Sequence, residues 1–311
     1  MEFDTRIPLS KLEVFCAVVE HDSFTRAAER LHVAQPVVSG HVRWLEERLG
    51  AELLHRRGRG LQLTEAGEIV HAWAKDILTR SREMARQIDG LADGSSGSAT
   101  IAASMTAGSY LLPAVLTRFI RRYPRADLTL TIADPEGAQA ATEAGEADLG
   151  VLLVDDDAPS PHLTRRLLRL EDLVLIGPAS GDVGAIKVSD LHHHPFVCSP
   201  VGRVRRRMID RLMAQYGVER EVVISLGHAD PIKHAVAEGV GLAFVFRSSV
   251  VSELAEGSLR EISVIGPKLQ MPLYLMHRQE KHFSSMQRRL VDAIVAELSS
   301  GPDDRAAVGG S

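Results

Sequence analysis

A hydroxyl-rich turn at residues 104–109, with the sequence SMTAGS, is the first feature of this chain that suggests chemistry. It follows an apolar segment typical of a strand, and a helical pattern begins after it. Where a strand leads into a helix N-terminus, free backbone N–H groups and the helix dipole attract negative charge. The turn therefore predicts a binding site for a small carboxylate or oxyanion.

Catalytic and metal-binding patterns are missing from the sequence. It contains no GxSxG, P-loop, HExxH or GxGxxG motif. His192, His193 and His194 are consecutive, but adjacent residues of a strand point to opposite faces, and no cysteine or carboxylate cluster accompanies them. We interpret them as a loop before a strand, and we expect no catalytic residue, no metal site and no cofactor.

Length and composition limit the architecture. The chain has 311 residues, 45% of them hydrophobic and 25% charged, which is typical of a globular protein with more than one core. It has no apolar run of about 20 residues and does not begin like a secretory signal, so we expect a soluble cytoplasmic protein without a membrane partner. Cys16 and Cys198 are too isolated to indicate a disulfide framework or a zinc site.

The first 64 residues predict three helices and a hairpin. Apolar residues at helical spacing cover residues 9–20, a second helix follows Ser23, and a third runs from Gln35 to Leu49 with Pro36 in its first turn and Gly50 at its end. Residues 51–64 alternate around a basic tip, which predicts a wing-like hairpin.

A long helix is predicted at residues 65–92. Its apolar stripe is thin, and such a helix usually needs a second one to bury it, which predicts a dimer. The stripe consists of Ile69, Trp73, Ile77, Met84, Ile88 and Leu91.

The remaining residues predict a hinge and two lobes. The segment DGSSGS at residues 93–98 is typical of a flexible hinge. Strand and helix patterns then alternate over residues 99–300, which predicts a mostly parallel sheet flanked by helices. We expect lobe I at about 99–168 and 271–300, lobe II at about 169–270, a ligand cleft between them and a disordered tail at 301–311.

The N-terminal pattern resembles the LysR-type transcriptional regulators. The matching residues are Phe15 and Val18, residues 23–39 (SFTRAAERLHVAQPVVS), residues 44–50 (WLEERLG), and Leu53, Leu54, Arg56, Arg59, Leu63, Thr64, Ala66 and Gly67. Gly40 departs from the family, in which a larger polar residue is common.

The resemblance implies an α/β protein overall, with a winged helix-turn-helix, a dimerising linker helix and a two-lobed effector domain similar to periplasmic solute-binding proteins. It also implies binding to double-stranded DNA at an interrupted inverted repeat in a promoter. The partners implied are further copies of the chain, in a dimer and the family's usual tetramer, with RNA polymerase as an additional one.

The third helix is expected to read the major groove with the side chains near its N-terminus. Gln35 suits an adenine, Ser39 a base or phosphate, and Pro36 or Val37 a thymine methyl group. The other expected DNA contacts are Ser23, Thr25, His41 and Arg43, with Arg56 and Arg59 on the wing. Two alternatives remain open: Gln35 and Ser39 only cap the helix, or Arg43 only pairs with Glu46 or Glu47.

Charge in the DNA-binding segment is balanced. Residues 1–64 contain nine lysines or arginines and nine acidic residues, and the whole chain carries a net charge of -5. Because phosphate contacts supply much of the affinity for DNA, one copy is expected to bind weakly. Several copies must then act together.

The cleft residues follow from the resemblance and from the hydroxyl-rich turn. Ser104 and Thr106 match effector contacts of the first lobe, and Ser199 and Arg203 match those of the second. Arg203 has the alternative of a solvated helix start. The expected site also includes Met105, His228 and Arg247.

These patterns favour a ligand-responsive transcriptional activator or repressor whose small effector is anionic. One alternative is a small-molecule binding or enzymatic module with an appended DNA-binding domain. Another is an architectural DNA-binding protein that is indifferent to small molecules.

Overall fold

The computed structural model describes residues 6–57, 60–89, 96–154, 160–180 and 184–299. The chain divides into two compact units between Asp89 and Gly90. Predictions on Arg59, on residues 90–95 and on the tail 301–311 lie outside the described residues. Within the described ranges, no helix has both the length and the apolar character needed to cross a bilayer.

The first unit is a winged helix-turn-helix followed by a long helix. Its elements are α1 (Leu9–His21), α2 (Phe24–Leu31), α3 (Gln35–Leu49), the antiparallel pair β1 (Leu54–Arg57) and β2 (Gly60–Leu63), and α4 (Glu65–Asp89). Leu12, Phe15 and Leu45 are fully buried where the apolar faces of the helices meet. The spacing of apolar residues had predicted these elements, because a helix buries one face in such a core.

Glycine and threonine fix the start of α4. The Thr64 hydroxyl accepts the Gly67 N–H at 2.9 Å and donates to the Glu52 carbonyl at 2.6 Å. A Cβ atom at Gly67 would lie 2.1 Å from the carbonyl oxygen of Leu53. Only glycine therefore allows α4 to pass this backbone without a shift.

The first lobe of the second unit is built on parallel strands. Strand β3 (Ser96–Ser104) pairs in parallel with β4 (Arg125–Ala133) and β5 (Leu149–Leu153). A π-helical turn at Ala107–Leu111 follows β3 and continues into a helix. The helices of this lobe are α5 (Leu112–Arg122), α6 (Pro135–Glu143) and α10 (Ser285–Leu298).

The second lobe has a smaller parallel pair and its own helices. Strand β8 (Pro195–Cys198) pairs in parallel with β9 (Glu221–Ser225), and β7 (Ile186–Lys187) pairs with β12 (Val264–Ile265). The other elements are α7 (Val204–Gln215), α8 (Ala229–Ala237), β10 (Ala243–Phe246), α9 (Val251–Glu256) and β11 (Leu259–Ile262).

Two long strands cross between the lobes. Strands β6 (Leu163–Pro178) and β13 (Leu269–Arg278) run antiparallel; β13 also pairs with β5, and β6 also pairs with β10 and β11. One sheet of the described residues thus continues through both lobes in the order β10-β6-β13-β5-β3-β4, with β11 also on β6. The expected lobe boundaries at 168/169 and 270/271 fall inside these crossing strands.

Three expectations need correction. Residues 96–98, predicted as part of a flexible hinge, begin β3 and pair with residues 125–127, because extended backbone can enter a ladder despite a glycine and serine composition. The crossing strands are antiparallel, so parallel pairing prevails only within the lobes. His192 and His193 belong to a 3-10 helix (Val188–His193) directly before β8 rather than to an irregular loop.

Candidate functional sites

The first turn of α3 lies on the solvent side of its unit. Gln35 and Pro36 are exposed, and Val37 retains 44% of its accessible surface. Val38 and Val42, on the opposite side of the helix, are buried. Because the opposite face packs in the core, the α3 residues that are predicted to contact DNA bases face the solvent.

Gln35 and Ser39 form a pair one helical turn apart. The Gln35 side-chain amide donates to the Ser39 hydroxyl at 2.8 Å. Ala34 is the N-cap residue, and no side chain caps this helix end. Helix capping, the alternative explanation for Gln35 and Ser39, is therefore wrong. The pair holds two hydrogen-bonding groups together at the exposed end of α3.

Arg43 is exposed on the same helix and has no ion pair or hydrogen bond among the residues that the structure describes. Glu46 instead accepts the backbone N–H groups of Leu53 and Leu54, at 2.9 Å and 3.4 Å. The alternative pairing of Arg43 with Glu46 or Glu47 is absent from the described part of the chain. The Arg43 guanidinium is therefore free to contact a phosphate.

His41 differs from its expected place. Its side chain is half-buried, and its Nδ1 atom is buried without a hydrogen-bond partner among the described residues. Burial, with a smaller contribution from Lys11, lowers the pKa of His41, which favours a neutral imidazole. His41 lies at the border between the buried and the exposed side of α3, and its Nδ1 atom therefore faces inward.

Two carboxylates attach the wing to the helices. Asp22, which ends α1 in a left-handed conformation, accepts the Leu61 N–H at 2.6 Å, and Glu46 holds the start of β1 as described above. Arg56 lies in β1, but its side chain, like Arg59, is outside the described part of the structure. The wing is thus fixed in register beside α3.

Two residues at the start of α2, Ser23 and Thr25, were expected to contact DNA, and Thr25 is exposed. The Ser23 hydroxyl has a structural role, since it caps α2 by accepting the Arg26 N–H at 3.3 Å.

Helix α4 leaves part of its apolar stripe uncovered within the first unit. Ile69 and Met84 retain 67% and 57% of their accessible surface, and Trp73 is also exposed. On the inner side of the same helix, Ala74 and Leu78 belong to the core of the first unit. These three residues of the predicted stripe are therefore not needed to pack the first unit, whereas Ile77 of the same stripe packs against its core.

A cavity of about 110 Å³ lies between the lobes of the second unit. It brings together all but one of the residues that the sequence predicted for the effector site: Ser104, Met105, Thr106, Ser199, Arg203 and His228. Tyr110, Asp134 and Arg205 also line it, and Leu153, Phe246 and Met271 contribute apolar surface.

The three hydroxyls of the cavity differ in what they can bind. Ser104 accepts the Leu153 N–H at 3.0 Å and so joins two strands. Ser199 is 6% exposed, and its buried Oγ atom has no hydrogen-bond partner among the described residues. The Thr106 residue is 9% exposed, and its hydroxyl has no hydrogen-bond partner in the described ranges. An unpaired buried hydroxyl is costly, so Ser199 suits a polar ligand, and the unpaired Thr106 hydroxyl is available to the same ligand.

The arginines at the start of α7 are not equivalent. Arg203, the N-cap residue, is largely exposed, and its guanidinium lies 3.9 Å from the Asp134 carboxylate across the cleft. Arg205, in the first turn of α7, lines the cavity and makes no hydrogen bond or ion pair within the described part of the chain. Burial lowers the pKa of Arg205 to about 10, so it remains protonated at pH 7.

Sequence reasoning missed Arg205 because a run of arginines is typical of a solvated helix surface. A usable signal was its place at the N-terminus of a helix, where the dipole disfavours a cation.

Tyr110 connects the two lobes. Its hydroxyl donates to the Asp230 carboxylate at 2.7 Å, and the Lys233 ammonium lies 5.0 Å from the centre of its ring. Lys233 also pairs with Asp230 at 2.9 Å and with Glu253 at 2.6 Å. Burial and the bond to Asp230 raise the pKa of Tyr110, and the same bond lowers the pKa of Asp230. The sequence did not reveal this link, because a tyrosine on a helix is usually a packing residue.

Arg247 does not join the cleft, contrary to the expectation. It lines a separate cavity of about 250 Å³. The carboxylates of Glu261 and Asp172 hold it there, at 2.6 Å and 3.9 Å. These two acidic residues on neighbouring strands explain its displacement from the cleft.

Comparison with known proteins agrees with this architecture. Residues 9–68 match the family model of the bacterial regulatory helix-turn-helix proteins of the lysR family, and residues 92–299 match the LysR substrate binding domain. The chain is 31% identical to a probable RuBisCO transcriptional regulator of Thalassiosira pseudonana over 289 residues, covering 89% of this chain and 93% of that protein. It is 29% identical to the HTH-type transcriptional regulator YeiE of Escherichia coli K12 over 288 residues, covering 92% and 96%.

Among solved structures, full-length CbnR complexed with its target DNA has the same fold. The TM-score is 0.65 at 24% identity, and the match covers 94% of this chain and 100% of that one. Together the two family matches account for the helix-turn-helix unit and for the lobes with their cleft. The chain therefore belongs to the LysR family of transcriptional regulators, with a helix-turn-helix DNA-binding domain and a substrate-binding domain.

Proposed function

We propose that this regulator reads an interrupted inverted repeat in a promoter with the first turn of α3. The observation that carries the proposal is the Gln35–Ser39 pair on the exposed side of a helix whose other face is buried. A glutamine amide can bond an adenine in bidentate fashion, and Val37 can contact a thymine methyl group. Arg43 and the wing add contacts to phosphate.

Two or more copies act together in this proposal. The DNA-binding segment is electrically balanced, so a single copy gains little from phosphate contacts. The exposed stripe of Ile69, Trp73 and Met84 supplies an apolar face through which α4 pairs with a second copy, and pairs of dimers form a tetramer.

Replacing Trp73 with glutamate tests the pairing. We expect the variant to form smaller assemblies than the unaltered chain at the same concentration, as measured by analytical ultracentrifugation: monomers where that chain is dimeric, and dimers where it is tetrameric. Leu167→Glu, at an exposed apolar residue of β6, is the matched control. Pairing through α4 is excluded if Trp73→Glu forms the same assembly as the unaltered chain at the same concentration.

The cleft binds a small anionic effector. Support comes from the unpaired hydroxyls of Thr106 and Ser199, which face one cavity from different lobes. A ligand that contacts both lobes favours one lobe separation over another, and the Tyr110–Asp230 hydrogen bond changes with that separation. This differential affinity couples the ligand to DNA binding.

The effector is bound and released unchanged in this proposal, and the protein is not an enzyme. The relatives are named as transcriptional regulators. RNA polymerase is the further partner through which bound protein activates or represses transcription. The protein works where the chromosome lies, in the cytoplasm.

Selection of genomic fragments by the purified full-length chain tests the function. We expect a few fragments to be retained above competitor DNA, and footprinting of these to reveal two protected half-sites related by an inverted repeat. Equal retention of all fragments would contradict sequence-specific regulation and favour the architectural alternative. Turnover of a small acid would favour the enzymatic one.

A further inference from the structure

The first turn of α7 concentrates positive charge at an unfavourable place. Residues 203–207 include four arginines, and a helix N-terminus favours negative charge. Three of the four have acidic partners. The pairs are Arg203 with Asp134, Arg206 with Asp210 at 2.9 Å, and Arg207 with Glu136 at 3.8 Å. Arg205 is the exception within the described residues.

The surroundings of Arg205 supply what an anion needs. Ser199, with its buried and unpaired Oγ atom, lines the same cavity from the end of β8, and Thr106 lines it from the other lobe. A carboxylate accepts several hydrogen bonds, and bonds to a charged donor are the strong ones. An anion placed here also interacts favourably with the N-terminus of α7.

The charge balance of the cavity allows one negative charge. Asp134 offsets the charge of Arg203 and places a carboxylate on the cavity wall, where it repels further negative charge. The remaining wall is largely apolar, with Met105, Phe246 and Met271 among its side chains. The cavity volume of about 110 Å³ lies below the roughly 150 Å³ that accommodates benzene, so the hydrocarbon part is short.

We propose that Arg205 is the charge partner of a compact monocarboxylate, with Ser199 as a second donor to the carboxylate. The hydrocarbon part of the ligand packs against Met105, Phe246 and Met271. This inference rests on the effector-binding part of the proposed function and names its ligand class.

Calorimetric titration of the full-length chain in the absence of DNA tests the ligand class. The probes are propanoate, butanoate and isovalerate as compact monocarboxylates, succinate and inorganic phosphate as anions of higher charge, and butyramide as an uncharged isostere. We expect at least one monocarboxylate to bind more tightly than succinate, phosphate and butyramide. Binding by none of the three monocarboxylates, or tighter binding of succinate, phosphate or butyramide, overturns the proposal.

Variants test the residues with the monocarboxylate that binds best. Arg205→Gln should weaken binding by about 10- to 100-fold, because it removes a charged donor to the carboxylate, and Ser199→Ala by about 2- to 10-fold, because it removes an uncharged donor. Arg205→Lys should restore part of the affinity, since it keeps the charge but not the planar fork.

The matched control for Arg205→Gln is Arg211→Gln, because Arg211 is an exposed arginine of the same helix. The matched control for Ser199→Ala is Ser248→Ala, because the Ser248 Oγ atom is also buried and unpaired in the described structure but lies outside the cavity. Unchanged affinity in Arg205→Gln, or an equal loss in Arg211→Gln, refutes the role of Arg205. Because no DNA is present, failure of promoter recognition does not affect this result.

Discussion

Replacing Gln35 with alanine tests the reading of DNA by α3. The side chain is exposed and held by Ser39 at 2.8 Å, and no buried residue depends on it, so the variant should fold. A bidentate contact to a base discriminates by about 1–3 kcal/mol, which corresponds to roughly 5- to 150-fold in affinity. We expect this loss at each half-site of the promoter fragment.

The affinity for random DNA should change much less on the same substitution. Gln35 is uncharged, so its removal should leave both the affinity for competitor DNA and the salt dependence of binding nearly unchanged. The assay is a pair of titrations, with the selected fragment and with competitor DNA, each at several salt concentrations. The reported quantity is the ratio of the two dissociation constants.

Gln139→Ala is the matched control. Gln139 makes the same kind of contact one helical turn along α6, with its amide 3.1 Å from the Glu143 carboxylate, but it belongs to the second unit. Gln139→Ala should leave the ratio of the two dissociation constants unchanged. If Gln35→Ala also leaves it unchanged, or weakens binding equally on both DNAs, base reading by Gln35 is refuted.

Two further predictions concern the stability of the helix-turn-helix unit. Gly67→Ala should lower the free energy of unfolding, measured by urea denaturation, by about 1–3 kcal/mol, because the new Cβ atom would meet the Leu53 backbone. Gly40→Ala should raise the free energy of unfolding by about 0.5–1 kcal/mol, because nothing lies within 4 Å of the new Cβ atom and alanine favours the helix. An unfolding energy that Gly67→Ala leaves unchanged would contradict the close approach. Burial lowers the pKa of His41 and His71 below 6.5, so their contribution to stability is present above pH 6.5 and is lost as the pH falls through the lowered pKa values. Denaturation at a series of pH values checks this, and the acid loss should shrink in His41→Asn and His71→Asn; an undiminished loss in both argues against it.

Periodicity was a good guide to the helices of the first unit. Leu12, Phe15 and Val18 recur at helical spacing and are fully buried. Pro36 and Gly50 mark the first turn and the end of α3. Local rules sufficed here because each helix buries one apolar face in the same small core.

The candidate cleft depended on contacts that are distant in sequence. Arg205 and Arg247 both carry guanidinium groups near strand ends, yet one faces the cavity and the other is drawn away by Glu261. The Tyr110–Asp230 hydrogen bond spans 120 positions. No local pattern reports which acidic group lies beside which arginine, so the charge of the cleft could only be worked out from the fold.

The structure of the full-length chain bound to its selected promoter fragment tests the central claim most directly. It should place the first turn of α3 in the major groove of each half-site, with the Gln35 amide about 3 Å from a base edge. A complex in which α3 lies outside the groove, or in which Gln35 contacts only the backbone phosphates, would contradict the account.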